Sequence, residues 1–195
     1  MKKIGITGSL ASGKTTASKI LSSGRGPLFS ADSIVKKLYQ NKNFIKFLSK
    51  KLKVNYNKSL KKKIINILIK NQINLKKIEK IIHPLVRKEM MRFTKKNKNS
   101  PIVFYEIPLL IESKINKKFD VIIFIKAKKA IRFKRFKSKG GSKKLFDILN
   151  KKQLSDKKKI NFCDHVVTNE SSKKILKKNL LDIINKYEWN IFRYG

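Results

Sequence analysis

The chain has 195 residues, and its 50 lysines and arginines against 12 aspartates and glutamates give a formal net charge of +38. This length, somewhat more than one typical domain, predicts one core with an inserted lobe. A single cysteine, Cys163, excludes an intramolecular disulfide and supplies no metal cluster. No run approaches the roughly 18 apolar residues that cross a bilayer, and a strand pattern that starts close to Met1 leaves no room for a signal peptide. We therefore expect a cytoplasmic protein with no membrane partner.

The positive charge has two interpretations. Nucleic acid is a common partner of basic proteins. However, the lysines extend along nearly the whole chain and accompany many isoleucines and asparagines, which is typical of a biased base composition. The lysines at 61–63 and 157–159 lie between apolar residues at helical spacing and are predicted to form solvated faces. The charge by itself predicts non-specific attraction and no specific nucleic-acid partner.

Apolar runs and helical patterns alternate along the chain, which is typical of an α/β protein with a parallel sheet. Strands are predicted at residues 3–7, 27–29, 102–105, 121–125 and 165–168. The later strands are short and apolar, as buried parallel strands are. The fold class predicted is a three-layer α/β/α domain.

The segment after the first strand fits the pattern G-x-x-x-x-G-K-[ST], and a helix is predicted directly after it, at 16–21. The two glycines let the backbone curl into an anion nest at the start of that helix. Lys14 can then reach the β and γ phosphates of a nucleotide, and the Thr15 hydroxyl can bind Mg²⁺. The predicted site for ATP is Gly8, Ser9, Leu10, Ala11, Ser12, Gly13, Lys14, Thr15 and Thr16.

A long helical stretch separates the second and third strands. Leu48, Ile64 and Leu68 belong to its apolar stripes. We predict a helical acceptor-binding insertion at about 34–98, a lid at about 131–162, and a core of 1–33, 99–130 and 163–195. The lid contains Gly140-Gly141, a flexible basic connection between helices. This organisation is that of a small-molecule P-loop kinase, whose lid excludes water and neutralises the transferring phosphate.

Four further segments resemble the motifs of dephospho-coenzyme A kinases. Together with the phosphate loop they follow in the family's order and cover nearly the whole chain. The segments are Ser30-Ala31-Asp32 with Lys36, His83-Pro84-Leu85-Val86, Pro108-Leu109-Leu110-Ile111-Glu112, and the tail pattern of Gln153, Lys159, Asp164, Val166 and Asn169. The resemblance implies transfer of the ATP γ-phosphate to the ribose 3′-hydroxyl of dephospho-coenzyme A, the last step of coenzyme A synthesis.

The resemblance also implies roles for individual residues. Asp32 is expected to activate the acceptor, with Lys14 and the lid residue Arg135 completing the catalytic set. Lys139 and Asn169 are expected to bind the donor nucleotide. Acceptor binding is expected from Asp32, Lys36, His83, Pro108, Leu109 and Glu112.

The chain departs from the family pattern at several positions. Ser30 stands where the family has its first Asp, Lys36 stands for an Arg, and Lys139 stands for the second lid Arg. A third lid Arg near Gln153 is absent, with Asn150 or its neighbours at that place. Lysine keeps the charge of arginine but lacks its bidentate fork.

The residues alone also suggest a site near the phosphate loop. Asp32 follows the second strand, and α/β proteins bind ligands at the carboxyl ends of their parallel strands. Asp32 could instead cap a helix that starts at Ser33. His83 could be a structural histidine at a helix junction.

Other candidates have structural alternatives too. Glu106 and Glu112 either pair with a cation of the helical lobe or line the acceptor site. Arg135 and Lys139 could belong to a solvated face, and Asn169 could be a turn residue.

Two other functions stay open. A nucleoside monophosphate kinase or a shikimate kinase shares the phosphate loop, but His83-Pro84 and Pro108-Leu109-Leu110 together have no explanation there. A nucleic-acid-binding ATPase would show stacking aromatics or a clustered basic face, whereas the 12 phenylalanines lie at core-like positions. The sequence predicts no oligomeric state.

Overall fold

The computed structural model describes residues 1–52 and 72–193. The chain forms two compact units, the first from Met1–Ser30 with Thr94–Gly195 and the second from Ala31–Phe93. Among the described residues, no helix is both long enough and apolar enough to cross a membrane.

Five strands and eight α-helices are described, and both sets follow in chain order. The strands are β1 (Lys2–Gly8), β2 (Leu28–Ser30), β3 (Ile102–Glu106), β4 (Val121–Lys126) and β5 (His165–Thr168). The helices are α1 (Lys14–Ser22), α2 (Ala31–Leu38), α3 (Lys42–Leu52), α4 (Gln72–Lys96), α5 (Lys129–Lys137), α6 (Lys143–Lys152), α7 (Asp156–Ile160) and α8 (Lys173–Arg193).

The strands form one parallel sheet in the order β2-β3-β1-β4-β5. Ile4 of the central strand β1 lies between Phe104 of β3 and Val121 of β4. This order places the carboxyl end of β1 beside the ends of β3 and β4, so the segment after β1 leaves the sheet at its centre. The predicted α/β class with a parallel sheet and all five predicted strands are confirmed.

One face of the sheet carries the main core. Ile4 and Ile6 point to this face, as expected because successive strand side chains alternate between faces. Ala17 and Leu21 of α1, together with Leu180 of α8, pack on it, and all are fully buried. The apolar stripes of α1 and α8 therefore explain why these two helices cover this face.

The opposite face is closed by side chains from loops and a helix end. Tyr105 packs its ring against Phe119 at 5.3 Å between centroids, and its hydroxyl bonds to the Thr94 hydroxyl at 2.7 Å. A Cβ on Gly5 would lie 2.8 Å from Leu110 Cδ1, so glycine gives the segment after β3 room to approach the sheet.

The second unit has its own apolar cluster of Leu48, Ile78 and Ile82. The predicted stripe residues Ile64 and Leu68 lie outside the described residues. His83 and Pro84 are inside the continuous helix α4, so the predicted helix junction at that point is wrong. Proline there removes one backbone donor of the helix, yet the helical pattern continues to Lys96.

Three more local predictions differ from the structure. Helix α1 begins at Lys14, not at Thr16. Helix α2 begins at Ala31, so Asp32 lies in its first turn and does not cap a helix that starts at Ser33. Lys159 is fully buried, so the solvated face predicted for 157–159 is wrong at that position. The prediction for 61–63 falls outside the described residues.

Candidate nucleotide-binding site

The phosphate loop connects β1 to α1, and its glycines are required by close contacts. Gly13 precedes α1 with a φ of 99°, and a Cβ there would lie 2.1 Å from Asn169 Nδ2. A Cβ on Gly8 would lie 2.4 Å from the carbonyl oxygen of Ile125. Alanine at either position would collide with its neighbour in β4 or after β5.

Lys14 is folded across the loop. Its ammonium donates to the carbonyl oxygen of Ser9 at 2.9 Å, and only 7% of the residue is exposed. The Ser12 N–H also donates to the Ser9 carbonyl, at 3.1 Å. The loop is thus a closed turn with a buried cation, next to the helix N-terminus where backbone N–H groups attract anions.

Thr15 and Glu106 form a pair at the loop. The Thr15 hydroxyl donates to Glu106 Oε1 at 2.6 Å. Glu106 ends β3 and is 1% exposed, and its Oε2 has no hydrogen-bond partner among the described residues. A carboxylate and a hydroxyl oxygen are ligands that Mg²⁺ accepts.

The sequence-based alternatives for Glu106, a lobe cation or the acceptor site, did not include this contact with Thr15. The signal that could have found it is an acid at the end of a strand, since the carboxyl ends of parallel strands meet at one edge.

Arg135 and Asn169 bind the backbone of the loop together. The Ser12 carbonyl accepts from Asn169 Nδ2 at 2.8 Å and from Arg135 Nη1 at 3.3 Å. Arg135 Nη2 donates to the Asn169 carbonyl at 3.0 Å. The solvated-face alternative for Arg135 is therefore wrong, and Asn169, 7% exposed, does more than form a turn. Lys139 is exposed in the turn that follows α5.

Arg132 is a buried arginine that the sequence interpretation did not include. Its Nε donates to the Ala127 carbonyl at 3.1 Å, and its Nη1 contacts the Leu10 carbonyl at 3.3 Å and Asn150 Oδ1 at 2.8 Å. Burial lowers the pKa of the Arg132 guanidinium, and the negative charge of Asp156 acts in the opposite direction. Its position three residues before Arg135, on the same side of a helix, was the available signal.

Glu112 holds a buried lysine. Lys159 Nζ lies 2.7 Å from Glu112 Oε1, with the lysine side chain fully buried and that of Glu112 15% exposed. Glu112 Oε1 also accepts from the Leu154 N–H at 3.0 Å. Glu112 thus forms an ion pair, but its cation lies in the predicted lid and not in the helical lobe. Its expected role in acceptor binding stays a prediction.

The remaining expected acceptor residues lie in both units. Asp32 and Lys36 are exposed and one turn apart on one side of α2, and His83 is half-buried in α4. Pro108 and Leu109 follow β3 and are half-buried, and the Pro108 carbonyl accepts from the Thr7 hydroxyl at 3.2 Å. Their roles stay predictions.

Comparison with known proteins gives the same family as the motifs. The family model described as dephospho-CoA kinase matches residues 2–174. A dephospho-CoA kinase of Bartonella quintana is 36% identical over 172 residues, covering 86% of this chain and 88% of that protein. One from Rickettsia conorii is 32% identical over 196 residues, covering 98% of this chain and 100% of that protein.

A solved structure supports the fold. The dephospho-CoA kinase from Campylobacter jejuni superposes with a TM-score of 0.66 at 24% identity, over 96% of this chain and 98% of that one. Because the family model runs from the strand before the phosphate loop into the last helix, and relatives align over most of their length, the chain belongs to the dephospho-CoA kinase family.

Proposed function

We propose that this protein transfers the γ-phosphoryl group of ATP to the ribose 3′-hydroxyl of dephospho-CoA, giving CoA and ADP. The observation that carries this proposal is the phosphate loop with its buried Lys14, in a chain that belongs to the dephospho-CoA kinase family. The enzyme is a phosphotransferase with an alcohol group as acceptor. Its partners are small molecules.

The phosphate loop binds the donor. The first N–H groups of α1 lack partners within the helix, as at any helix start, and so are suited to phosphate oxygens. Lys14 exchanges its bond with the Ser9 carbonyl for the β and γ phosphates when ATP enters. A buried ammonium favours the negative charge on the transferring group, which is the main task of a phosphoryl-transfer site.

A magnesium ion is part of the proposal. Thr15 and Glu106 fit it, because the unpartnered Glu106 Oε2 lies in a buried carboxylate already bonded to the Thr15 hydroxyl. When bound, Mg²⁺ would neutralise charge on the phosphates of ATP. By accepting the Thr15 hydroxyl proton, Glu106 would leave the lone pairs of that oxygen for the metal.

Arg135, Lys139 and Asn169 are proposed to complete donor binding. Arg135 and Asn169 already hold the Ser12 carbonyl, which supports a role at the donor end of the site. Lys139 is exposed on the turn after α5, and we propose that this turn moves when the lid closes. A mobile cation of this kind neutralises charge while the lid excludes water.

Asp32 is proposed to accept the proton of the 3′-hydroxyl. Lys36, His83, Pro108, Leu109 and Glu112 are proposed to bind dephospho-CoA, as the family resemblance implies. Lys36, one turn from Asp32 on α2, gives that helix face a cation suited to the acceptor's phosphate groups. A cytoplasmic location is proposed as well, because the reaction consumes ATP.

An acceptor panel tests the function. Purified protein with ATP and Mg²⁺ is offered dephospho-CoA, AMP, dTMP or shikimate, and ADP release is measured alongside CoA formation. Of the four acceptors, we expect only dephospho-CoA to be turned over rapidly, and we expect turnover to be lost when Mg²⁺ is chelated. Faster turnover with AMP, dTMP or shikimate would contradict the proposal and identify the acceptor class instead.

A further inference from the structure

Residues 153–159, which we call the strap, contact the first half of the phosphate loop. Gln153 Oε1 accepts from the Leu10 N–H at 2.9 Å. The Ser9 hydroxyl donates to Asp156 Oδ1. Two neighbouring loop residues are therefore held by two side chains that lie more than 140 positions later in the chain.

The same two loop residues have further ties. The Leu10 carbonyl accepts from Arg132, which also binds Asn150 just before the strap. The Ser9 carbonyl accepts from Lys14. The backbone donor and acceptor of Leu10 are thus both bound by side chains of residues 132–153, and the position of Ser9 sets where the Lys14 ammonium rests before ATP draws it to the phosphates.

The strap is itself fixed to the segment after β3. Glu112 Oε1 accepts from the Leu154 N–H at 3.0 Å and pairs with Lys159 Nζ at 2.7 Å. The two bonds lie at the two ends of the strap, with Gln153 next to one of them and Asp156 between them. Because Lys159 is fully buried, this end of the strap cannot move without leaving a buried charge.

We propose that Gln153 and Asp156 are positioning residues for phosphoryl transfer, which hold Ser9 and Leu10 so that the loop presents Lys14 correctly. The proposal rests on the proposed function. Phosphoryl transfer depends almost wholly on positioning and charge, and a misplacement of about 1 Å can cost about 10²-fold in rate. The hydrogen bonds described between the strap and the loop are to Ser9 and Leu10, in the first half of the loop, whereas the start of α1 supplies the N–H groups for phosphate. Loss of these hydrogen bonds therefore reduces kcat more than ATP binding.

The kinetic test uses pairs of variants that separate hydrogen bonding from charge. Gln153→Leu and Asp156→Ala remove the acceptor, while Gln153→Glu and Asp156→Asn keep an oxygen at the same place. Asp147→Ala is the matched control, because Asp147 is an acid of the neighbouring helix that pairs with Lys143. We expect kcat to fall about tenfold or more in Gln153→Leu and Asp156→Ala, on the scale of a misplaced group, with KM for ATP nearly unchanged. Gln153→Glu and Asp156→Asn should keep most of the wild-type rate.

Hydrogen exchange gives a readout that does not depend on activity. The Leu10 amide should exchange faster in Gln153→Leu than in the wild type, while amides of β4 keep their protection. Unchanged kcat in Gln153→Leu and Asp156→Ala would overturn the proposal, as would unchanged Leu10 exchange in Gln153→Leu or an equal loss of kcat in Asp147→Ala.

The two proposals can fail separately. If the wild type does not phosphorylate dephospho-CoA but Leu10 exchange responds to Gln153→Leu, the proposed function fails and the role of the strap in holding the loop stands. If dephospho-CoA is phosphorylated at wild-type kcat by Gln153→Leu and Asp156→Ala, the positioning role fails and the function stands.

Discussion

Ser9 and Ser12 show how single residues order the phosphate loop. The Ser9 carbonyl accepts from Lys14, and the Ser12 carbonyl accepts from Arg135 and Asn169. The N–H and C=O groups on either side of a planar peptide bond point in opposite directions. Because Arg135 and Asn169 hold the Ser12 carbonyl from one side, the Gly13 N–H is directed to the other, where an anion can be bound. The Leu10 N–H, across the peptide bond from the Ser9 carbonyl, is bound to Gln153 instead.

Lys14→Ala is the first prediction at this scale. The side chain contributes charge-assisted bonds worth about 1.5–3 kcal/mol each in the ground state, and more as charge develops in the transition state. We expect turnover to fall by at least about 10²-fold on that transition-state scale, with the fold retained. Lys19→Ala is the control, since Lys19 is an exposed lysine on the same helix. Near wild-type turnover in Lys14→Ala would show that the loop does not bind the donor phosphates.

Asp32→Asn tests the proposed acceptor base. Loss of a general base costs about 10²–10⁴-fold in rate, so kcat should fall by at least about 10² while ATP affinity stays the same. Because Asp32 lies in the first turn of α2, loss of its charge removes a helix-dipole interaction of about 0.3–1 kcal/mol. The melting temperature should therefore change little. Full turnover in Asp32→Asn would show that Asp32 is not the acceptor base and would leave Glu106 and Glu112 as the candidates for that role.

At the scale of elements, the strap shows how a buried ion pair joins two segments. Glu112 follows β3 by a few residues, and Lys159 lies in α7. A short basic helix would ordinarily stay in solvent, since burying a lysine costs several kcal/mol unless it is paired. The pair with Glu112 explains why α7 packs on β4 despite its three consecutive lysines.

Replacing Glu112 and replacing Lys159 should lower the free energy of unfolding by different amounts. Glu112→Gln leaves the fully buried Lys159 charge without compensation, and breaking such a pair costs about 3–5 kcal/mol. Lys159→Met leaves Glu112 with the Leu154 N–H as a hydrogen-bond donor to its Oε1. We expect urea denaturation to show a clearly larger loss of unfolding free energy in Glu112→Gln. Equal losses in the two variants would contradict this account of the pair.

The contact between β5 and α8 predicts a pH dependence. His165 Nε2 lies 2.6 Å from the Tyr187 hydroxyl. Burial lowers the pKa of His165, as does the charge of Lys186, and Asp164 opposes the shift. Since the unfolded chain then binds the proton more readily, stability is full above the unfolded pKa of about 6.5. It declines as pH falls through that value toward the lower folded pKa.

Thermal melts between about pH 7.5 and pH 5.5, a window around the unfolded histidine pKa, check this prediction. We expect the wild-type melting temperature to fall toward the acid end. His165→Gln, which does not titrate, should show a weaker decline. The same decline in both proteins would assign the pH dependence to other groups.

At the scale of the whole molecule, the net charge of +38 attracts any polyanion. A protein that acts on nucleic acid would hydrolyse more ATP when DNA or RNA is added. We expect only weak binding to duplex DNA that disappears as salt rises, because each phosphate contact contributes a log–log slope of about −0.9. ATP hydrolysis should be unaffected at about 150 mM salt, where surface charges are largely screened. Stimulation of several-fold would favour the nucleic-acid-binding ATPase.

Much of the fold was readable from the sequence because its signals are local. Buried parallel strands are continuous apolar runs, so β3 and β4 were predicted almost residue by residue. The glycines and Lys14 of the phosphate loop lie within eight consecutive positions, and a backbone nest needs that spacing. The family motifs are likewise short segments of neighbouring residues.

The tertiary structure alone decided which distant residues meet at the loop. Thr15 and Glu106 are 91 positions apart, Leu10 and Gln153 are 143 apart, and a helical or strand period carries no information at such distances. The burial of Lys159 could not be predicted from the sequence for the same reason. Its neighbouring lysines predict a solvated face, and only the structure shows that Glu112 pairs with it. The sequence by itself determined the strands, the phosphate loop and the family. Which charges are buried, and which side chains hold the loop, followed only from how the sheet brings the ends of β1, β3 and β4 together.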